Sequence, residues 1–542
     1  MKLFFCILFN LFVCLHLQAQ KLTLRIESTL QKENRVIDSI GYKKKFENAL
    51  SLLNETKLFE EKLLRQGYLE VQSLDYKKEN DSIFVFNFSL GKKTKSLHIY
   101  IGDTIFQKIP LDEAENFLNE TVKKWEAKGF SLVQVRLTNF RAQEDILVAN
   151  LEINPGNKRI LSEIIIEGYS KFPQSHLKNL KKNYQKQDFN QNNIDQLSKN
   201  INDYKFVTQT QSPQILFTQD STKIYIYLEK AKANRFEGFI GFTNQESDKI
   251  NFNGYLDLLL HNILNSGEQF HLYWKSDGNE QTTFNAGLQI PYLFNSSFGL
   301  KTELQLFKQD STFQNTRTKF DFGYLFNYNT RLYLGYQSTE SSDIQNLNSS
   351  FISDFKNTFY TSEFEYLKRK PEDILFPDKT ILKFKLGLGK RNSKIANENQ
   401  FFSQLEFQHH FYLNQKNNIQ LKSLSFYLKS ENYLINELYR FGGINSIRGF
   451  NENSLQGNFF SYILTEYRFI LSRDLYLHSI IDYGYFQDQT NKTNEGLLGL
   501  GFGFGLLTKN GFFNLVYANG SLRNQEIKLS NSIVQISFNT RF

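Results

Sequence analysis

Cysteine and histidine are scarce in this chain, which limits the metal and redox chemistry open to it. The 542 residues contain two cysteines, Cys6 and Cys14, and eight histidines. Because no thiol follows Cys14, the rest of the chain can form neither a disulfide nor a thiolate metal site. The adjacent His409 and His410 should point to opposite faces of a strand instead of converging on an ion. The sequence therefore predicts no metal and no cofactor.

Long hydrophobic runs are absent after the amino-terminal segment. The run from Leu3 to Leu17 follows Lys2 and precedes the small residue Ala19, an arrangement typical of a secretory signal peptide. A spanning helix needs about 20 apolar residues, so this run is too short. A lipid-anchored form would require a small residue before Cys14, where the chain has valine. We expect residues 1–19 to be a signal peptide and the remainder to contain no spanning helix.

Methionine and proline are also rare, with one and seven residues, whereas aromatic residues make up 15% of the chain. The net charge of +8 is spread through lysines and forms no cluster typical of nucleic-acid binding. The mean hydropathy is −0.45. A polar average with many aromatic residues is typical of a transmembrane β-barrel, in which each strand faces lipid on one side and water on the other.

Residues 21–233 mix helical and strand periods. A strand, a helical region and a pair of strands recur at intervals of roughly seventy residues. Helical periods at Lys45–Arg65 and Leu111–Lys128 each stop at a glycine followed by an aromatic residue, and glycine is common just past the end of a helix. A third copy begins at Ile164, with helices near 176–180 and 194–201. This pattern predicts small α+β domains at residues 20–95, 96–158 and 159–233.

From residue 234 to 542 the polarity alternates with a period of two. In the segment 533–538, Val534, Ile536 and Phe538 share one face, because successive strand side chains point to opposite sides. The run Gly499–Gly505 is interpreted as a strand with a small-residue lumen face, since its strict alternation does not fit a dinucleotide-binding loop. Sixteen strands are expected to begin near residues 235, 250, 268, 281, 296, 315, 330, 356, 380, 399, 418, 458, 475, 496, 511 and 529.

The connections between these expected strands alternate in length. The second, fourth and sixth are short, at 264–266, 294–296 and 327–329, whereas odd-numbered ones include the long stretches 340–355 and 431–457. Short turns at one end and long loops at the other are expected of a closed antiparallel barrel that spans a membrane. The connection 370–380 is longer than this rule predicts. A soluble β-sandwich or propeller is the alternative, but it explains neither the leader nor the asymmetry.

The segment 440–450, Arg-Phe-Gly-Gly-Ile-Asn-Ser-Ile-Arg-Gly-Phe, lies in the longest connection. With the alternating segments that follow and the terminal Phe542, it resembles the final quarter of the BamA/TamA family of outer-membrane barrels. The segment Ile164–Asn179, IIIEGYSKFPQSHLKN, resembles the start of a POTRA domain, the periplasmic module of that family. The resemblance implies three POTRA domains followed by a 16-stranded transmembrane β-barrel. That layout is closer to TamA than to BamA.

The resemblance gives a role to the motif Ile447, Arg448, Gly449 and Phe450. In the family this loop folds back into the barrel lumen, where the arginine meets acidic groups on the wall. Arginine suits such an anchor because it stays charged and offers a planar fork of donors to a carboxylate. An ordinary arginine on a surface loop is the alternative interpretation.

Asp482 is the expected partner of that arginine. It lies in Asp-Tyr-Gly, which resembles the family's aspartate-x-glycine element, and Glu466 is a second candidate. A further acidic position that the family often has is occupied here by Val516. We therefore expect the arginine to hold one carboxylate instead of two.

The first and last barrel strands must pair to close the cylinder along a lateral seam. We assign to this seam the residues Phe236, Gly238, Gly241, Phe538 and Phe542. Glycine weakens strand pairing, and in the family this seam opens sideways so that its edge can template an incoming strand. Phe542 also matches the aromatic end that such barrels carry as their own insertion signal.

The resemblance implies a function in the outer membrane of a Gram-negative bacterium, with the POTRA domains in the periplasm. The partners it implies are the lipid bilayer and unfolded outer-membrane or secreted client proteins, and it allows a periplasm-spanning partner protein. A secretion pore for one exoprotein and a passive porin or structural barrel stay open as alternatives. An enzyme is disfavoured, because no Ser-His-Asp or paired-carboxylate set can be placed in the sequence.

Overall fold

The computed structural model describes residues 21–219, 221–244, 250–276, 281–523, 525, 527–528, 530 and 532–542. The expected signal peptide lies outside the described residues. The chain divides into two units, one reaching Ile160 and including Asp188–Asn192, the other comprising Leu161–Gln187 and Asn193–Phe542. Each unit is described by itself.

The first unit contains two four-stranded sheets, the first accompanied by two α-helices and the second by one. The first sheet has the order β2-β1-β4-β3 and the second the order β6-β5-β8-β7. The first sheet and its helices comprise β1 (Leu22–Glu27), α1 (Gln31–Ile40), β2 (Lys45–Phe46), α2 (Ala49–Arg65), β3 (Gln72–Asn80) and β4 (Ile83–Ser89). The second comprises β5 (Ser96–Ile101), β6 (Thr104–Pro110), α3 (Ala114–Glu126), β7 (Gln134–Gln143) and β8 (Ile146–Asn154).

The helix α2 shows why these segments fold as they do. Its start is fixed by the Asn48 side chain, which accepts a hydrogen bond from the N–H of Ser51 at 2.9 Å, satisfying one of the free donors of a helix start. Its Leu52, Phe59 and Leu63 are buried in the core, and it stops before Gly67, which has a φ of 98°. The glycine stop was expected. The start was expected at Lys45, but residues 45–46 pair with β1 instead.

In the second unit a third small sheet precedes the barrel, and residues 161–187 and 193–233 are called the junction domain here. It contains β9 (Glu163–Glu167), α4 (Gln174–Tyr184), most of α5 (Gln191–Asn202), β10 (Val207–Gln209), β11 (Gln214–Phe217) and β12 (Thr222–Lys230). The strand β12 is central and pairs with β9, β10 and β11. Its alternate side chains are buried, as the period of two predicts.

The barrel is a closed antiparallel cylinder of sixteen strands, which confirms the predicted fold class. Its strands are β13 (Arg235–Asn244), β14 (Ile250–His261), β15 (Gln269–Ser276), β16 (Gln281–Ile290), β17 (Phe298–Gln309), β18 (Phe313–Asn327), β19 (Thr330–Asp343), β20 (Phe355–Arg369), β21 (Asp378–Ser393), β22 (Asn397–Tyr412), β23 (Asn417–Lys429), β26 (Phe459–Ile470), β27 (Leu475–Asp488), β28 (Thr493–Leu507), β29 (Gly511–Leu522) and β30 (Ser532–Arg541). A small hairpin, β24 (Tyr439–Phe441) and β25 (Leu455–Gly457), lies within the longest connection.

The strand β27 illustrates the two faces of the wall. Ile480 and Asp482 are buried towards the lumen, at 1% and 0% exposure, whereas Ile481 and Tyr483 point outward at 56% and 63%. The outer face is therefore a surface of large apolar side chains, as a strand in contact with lipid requires. Among the described residues, no helix has the length and apolar character to cross a membrane.

The junction domain is fixed to the even-numbered connections of the barrel, at what we call its domain end. The ring of His176 on α4 is fully buried and lies 4.9 Å from the Tyr292 ring and 5.8 Å from the Tyr328 ring, both on such connections. Its ring fills the space that a side chain at residue 267 would occupy, so glycine is needed there. Burial lowers the pKa of His176 to about 3, with a smaller effect of the cationic Arg331.

Candidate functional site

The connection between β23 and β26 returns into the barrel lumen and forms the centre of the site. It is called the lumen loop, residues 430–458. After β24 the chain changes direction at Gly442 and Gly443, which have φ values of 112° and 97°. Glycine adopts such positive φ values without strain. Beyond this turn the N–H of Ser446 donates to the carbonyl oxygen of Gly443 at 3.0 Å. This compact turn directs Ile447 and Arg448 to the wall.

The Arg448 guanidinium forms a bidentate ion pair with Asp482. Its Nε donates to Oδ2 at 2.8 Å and its Nη2 to Oδ1 at 2.6 Å. The backbone N–H of Arg448 also donates to Oδ2, at 3.1 Å. Arg448 is 5% exposed and Asp482 is 0% exposed, so water does not replace these contacts. Paired parallel hydrogen bonds of this kind are strong and set the orientation of both groups.

A second carboxylate also contacts Arg448. Its Nη1 donates to Oε1 of Glu466 on β26, so the expectation of a single carboxylate was wrong. The two strands pair with Leu464 opposite Asp482, which leaves Glu466 two residues farther along the same lumen face. Val516, at the position where the family often has an acid, is buried beside Ile480. The second carboxylate is therefore supplied by Glu466 on β26 and not by the position of Val516 on β29.

Glycines on the wall provide the space for residues 446–450 of the lumen loop, which are called the loop tip. A side chain at Gly499 would place its Cβ 2.5 Å from the Arg448 carbonyl oxygen, and one at Gly520 would lie 2.5 Å from the carbonyl oxygen of Gly449. Phe450 packs over Gly520, and Ile447, fully buried, approaches Gly484. The small-residue lumen face predicted for residues 499–505 is present on β28, but its role as the seat of the loop was not recognised from the sequence.

The lumen loop is also tied to the wall away from its tip. Glu437 accepts a charged hydrogen bond from Arg391 on β21, and both side chains are buried. On the other limb, Glu452 accepts from the Tyr273 hydroxyl at 2.9 Å and pairs with Lys275, both on β15. Sequence reasoning missed these contacts. The signal available was the presence of acidic residues in a loop expected to enter a polar lumen.

The seam between β13 and β30 is short. These strands pair only at Arg235 with Arg541 and at Phe236 with Thr540 among the described residues, and the Phe542 N–H donates to the carbonyl oxygen of Asn234 at 3.2 Å. By contrast, β13 pairs with β14 at ten positions and β29 with β30 at nine. Closure of the barrel therefore rests on a few hydrogen bonds at one end.

The proposed seam residues divide into two groups. Phe236 and Phe542 lie where the strands meet, and they and Phe538 are about half exposed on the outer face. Gly238 and Gly241 pair with β14 but lie past the two positions at which β13 meets β30. A cavity of about 490 Å³ begins beside these unpaired edges, and its lining includes Glu237 and residues 534–537.

No metal site accompanies this arrangement in the part of the chain that the structure describes. No group of three or more histidine, cysteine or acidic residues there is placed to hold a metal ion. The acidic groups of the site are instead engaged by cationic side chains, since Asp482, Glu466 and Glu437 pair with arginine and Glu452 pairs with Lys275. These ion pairs hold the lumen loop against the barrel wall.

Comparisons with known proteins identify the fold. CdiB from Acinetobacter baumannii aligns with a TM-score of 0.52 and 14% identity over 83% of this chain and 90% of its own. CdiB from Escherichia coli aligns with a TM-score of 0.51 and 13% identity over 90% and 97%. BamA from Haemophilus ducreyi lacking POTRA domains 1–3 gives a TM-score of 0.49 and 13% identity over 82% and 95%. No protein-family model and no curated protein matches the sequence. This chain thus has the fold of the CdiB barrels.

Proposed function

We propose that this chain is an outer-membrane barrel of the BamA/TamA type that inserts or translocates unfolded client proteins. The observation that carries the proposal is the short seam, where β13 and β30 pair at two positions in the described part of the chain. It lies next to a loop held inside the lumen by Arg448. A passive porin has no use for a weak seam, because steady conduction requires a permanently closed wall and an open lumen.

The unpaired edge of β30 supports a templating mechanism. Residues 532–539 pair with β29 on one side, at Asn519 through Phe512, and lie beyond the short contact with β13 on the other. In lipid an unpaired backbone group costs several kcal/mol, so this edge should readily accept a strand from another chain. The outward Val534, Ile536 and Phe538 would meet lipid beside the incoming strand.

The α+β domains are assigned the role of client capture. We take residues 20–95, 96–158 and 159–233 as three POTRA domains that lie in the periplasm after removal of residues 1–19. The strand β3 is an edge strand and is exposed along its whole length, which supports capture by strand addition. A partner that spans the periplasm could use the same edges. No catalytic or nucleic-acid-binding role is proposed.

A secretion pore for one exoprotein is the second candidate. It is favoured by the polar cavities beside the lumen loop, of about 420 and 350 Å³, because withdrawal of the loop would join them into a path through the barrel. The two functions differ in where the client passes. Insertion requires the seam to open, whereas secretion through the lumen requires only that the loop move.

A reversible lock on the seam tests the proposal. Cysteines at Phe236 and Thr540, which are paired across the seam, can form a disulfide, since paired antiparallel residues lie about 5 Å apart. The mature full chain in lipid vesicles is given a urea-denatured eight-stranded barrel, and the folded client is followed by its heat-modifiable migration. The oxidised lock should abolish the acceleration of folding, and reductant should restore it.

The matched control is the same pair of changes at Leu334 and Ser362, which are paired between β19 and β20, two strands that take no part in the seam. Oxidation of this control should leave client folding unchanged. Equal acceleration by the locked and unlocked seam would contradict insertion through the seam. Depletion followed by outer-membrane proteomics then separates the roles, since loss of many barrels indicates general assembly and loss of one exoprotein indicates a dedicated pore.

A further inference from the structure

The connection between β20 and β21, residues 370–377, enters the lumen from the domain end. It is longer than a tight turn requires, and it buries Phe376, which is 7% exposed. The Phe376 ring lies 4.9 Å from the Tyr476 ring and is stacked on His410 at 5.4 Å. Arg468 lies over its face, with Cζ 4.0 Å from the ring centre. The ring is therefore wedged between side chains from three strands.

Arg468 connects the Phe376 ring to the ion pairs of Arg448 that hold the lumen loop. Its Nε donates to Oε2 of Glu466 at 2.7 Å, and its Nη2 lies 2.6 Å from the same oxygen. The other oxygen of Glu466 accepts from Arg448. One carboxylate thus bridges two guanidinium groups. An aromatic face attracts a cation placed over it, so Phe376 contributes to fixing the plane in which Arg468 reaches Glu466, together with Gln420 and His410, which contact its two Nη atoms.

The two ends of the same connection are held by the junction domain. Arg369, just before it, donates from Nη1 to the carbonyl oxygens of Asn202 and Asp203 at 3.1 and 3.3 Å. Asp378, just after it, pairs with Lys205 at 3.2 Å. Asp378 also accepts from Arg369 at 3.2 Å. A displacement of the junction domain therefore pulls on both ends of the connection.

We propose that Phe376 is a positioning residue for the loop anchor and that the connection 370–377 couples the junction domain to the lumen loop. Movement of the junction domain would withdraw the ring from Arg468. Arg468 would then hold Glu466 less firmly, and the grip of Glu466 on Arg448 would weaken. Release of the loop tip would in this way depend on the position of the junction domain, which contacts the domain end of the barrel.

A thiol reporter at the loop tip tests this coupling. The change Ser446→Cys places a thiol at a buried position in a mature chain that has no other cysteine. Its modification rate in vesicles measures how often the tip is exposed. Phe376→Ala should raise that rate on the order of tenfold, because it removes a cation–π contact and two aromatic contacts. The matched control is Ile374→Ala, an exposed apolar residue of the same connection, which should leave the rate unchanged.

Further variants separate positioning from simple packing. Phe376→Tyr keeps the ring and should retain the slow rate, whereas Phe376→Leu keeps apolar volume and should still release the tip. Lys205→Met should raise the rate in the parent, but it should add little to Phe376→Ala, since coupled sites are not additive. Heat-modifiable migration of the barrel confirms that each variant is folded.

Two results would overturn the inference. One is a Phe376→Ala rate equal to that of Ile374→Ala, and the other is a full additive effect of Lys205→Met in the Phe376→Ala background. The reporter needs no client protein. Its outcome is therefore independent of whether the barrel inserts proteins, secretes them or does neither.

Discussion

Replacement of Arg448 by alanine is the sharpest perturbation of the lumen loop. The side chain bonds to both oxygens of Asp482, to Glu466 and, at 3.4 Å, to the carbonyl oxygen of Thr465. Glu466 keeps a second cation in the variant, because Arg468 lies 2.6 Å away. Asp482, with no exposure to solvent, loses its ion-pair partner and becomes the main source of the penalty.

The magnitude follows from that unpaired carboxylate. Removing one partner of a buried ion pair costs about 3–5 kcal/mol. Since about 1.4 kcal/mol corresponds to a factor of ten, the released form of the loop should increase at least about a hundredfold. Arg448→Lys keeps the charge but loses the paired geometry, so it should fall between the parent and the alanine variant. Arg448→Ala with Asp482→Asn should recover part of the loss, because no unpaired charge is left.

Limited proteolysis with chymotrypsin measures this release, because the loop contains the aromatic residues Tyr439, Phe441 and Phe450. Arg448→Ala should be cut within residues 430–458 under conditions in which the parent resists cleavage. Arg473→Ala, at an exposed arginine in the connection between β26 and β27, is the matched control and should behave like the parent. Equal resistance of Arg448→Ala and Arg473→Ala would refute the anchoring role.

Two further predictions concern the seat of the loop and the junction domain. Gly499→Ala should displace the Arg448 carbonyl and increase cleavage of the loop by the equivalent of about 1–3 kcal/mol, whereas Gly287→Ala, where a Cβ meets no atom closer than 3.8 Å, should not. The pKa of His176 is about 3 when buried, so the released form binds a proton as the pH falls from about 6.5 towards that value. Docking of the junction domain should therefore weaken on acidification by up to ~1.4 kcal/mol per pH unit. Protease protection of residues 161–233 measures this loss. If protection of the His176→Phe variant does not change with pH, His176 is confirmed as the source of the acid sensitivity. Equal acid sensitivity of the variant and the parent would contradict this assignment.

The alternation of polarity was sufficient to locate the barrel because lumen and lipid impose opposite requirements on successive residues. The strand expected near residue 475 begins there as β27, and that expected near 380 begins at Asp378. The strand expected near 496 begins at Thr493 instead. Its first residues, Thr-Asn-Glu, are all polar, so they show no alternation although they pair with β27.

The small domains were harder to predict from local patterns. Helix α1 was missed because its apolar residues are confined to its second half and no side chain caps its start at Leu30. The edge strand β6 was missed as well, since most of it is exposed and an exposed edge needs no strict alternation. Contacts across the lumen, such as Glu452 with Lys275, join residues far apart in sequence, and no periodicity specifies them.

The distance across the seam is the most direct test of the account. Spin labels at cysteines replacing Phe236 and Thr540 should show strong dipolar broadening in the resting full chain, because these residues are paired, and the broadening should diminish when denatured client is added. Labels at Leu334 and Ser362, paired between β19 and β20, should stay broadened throughout. Client folding that proceeds at full rate while the Phe236–Thr540 distance stays unchanged would contradict a lateral opening.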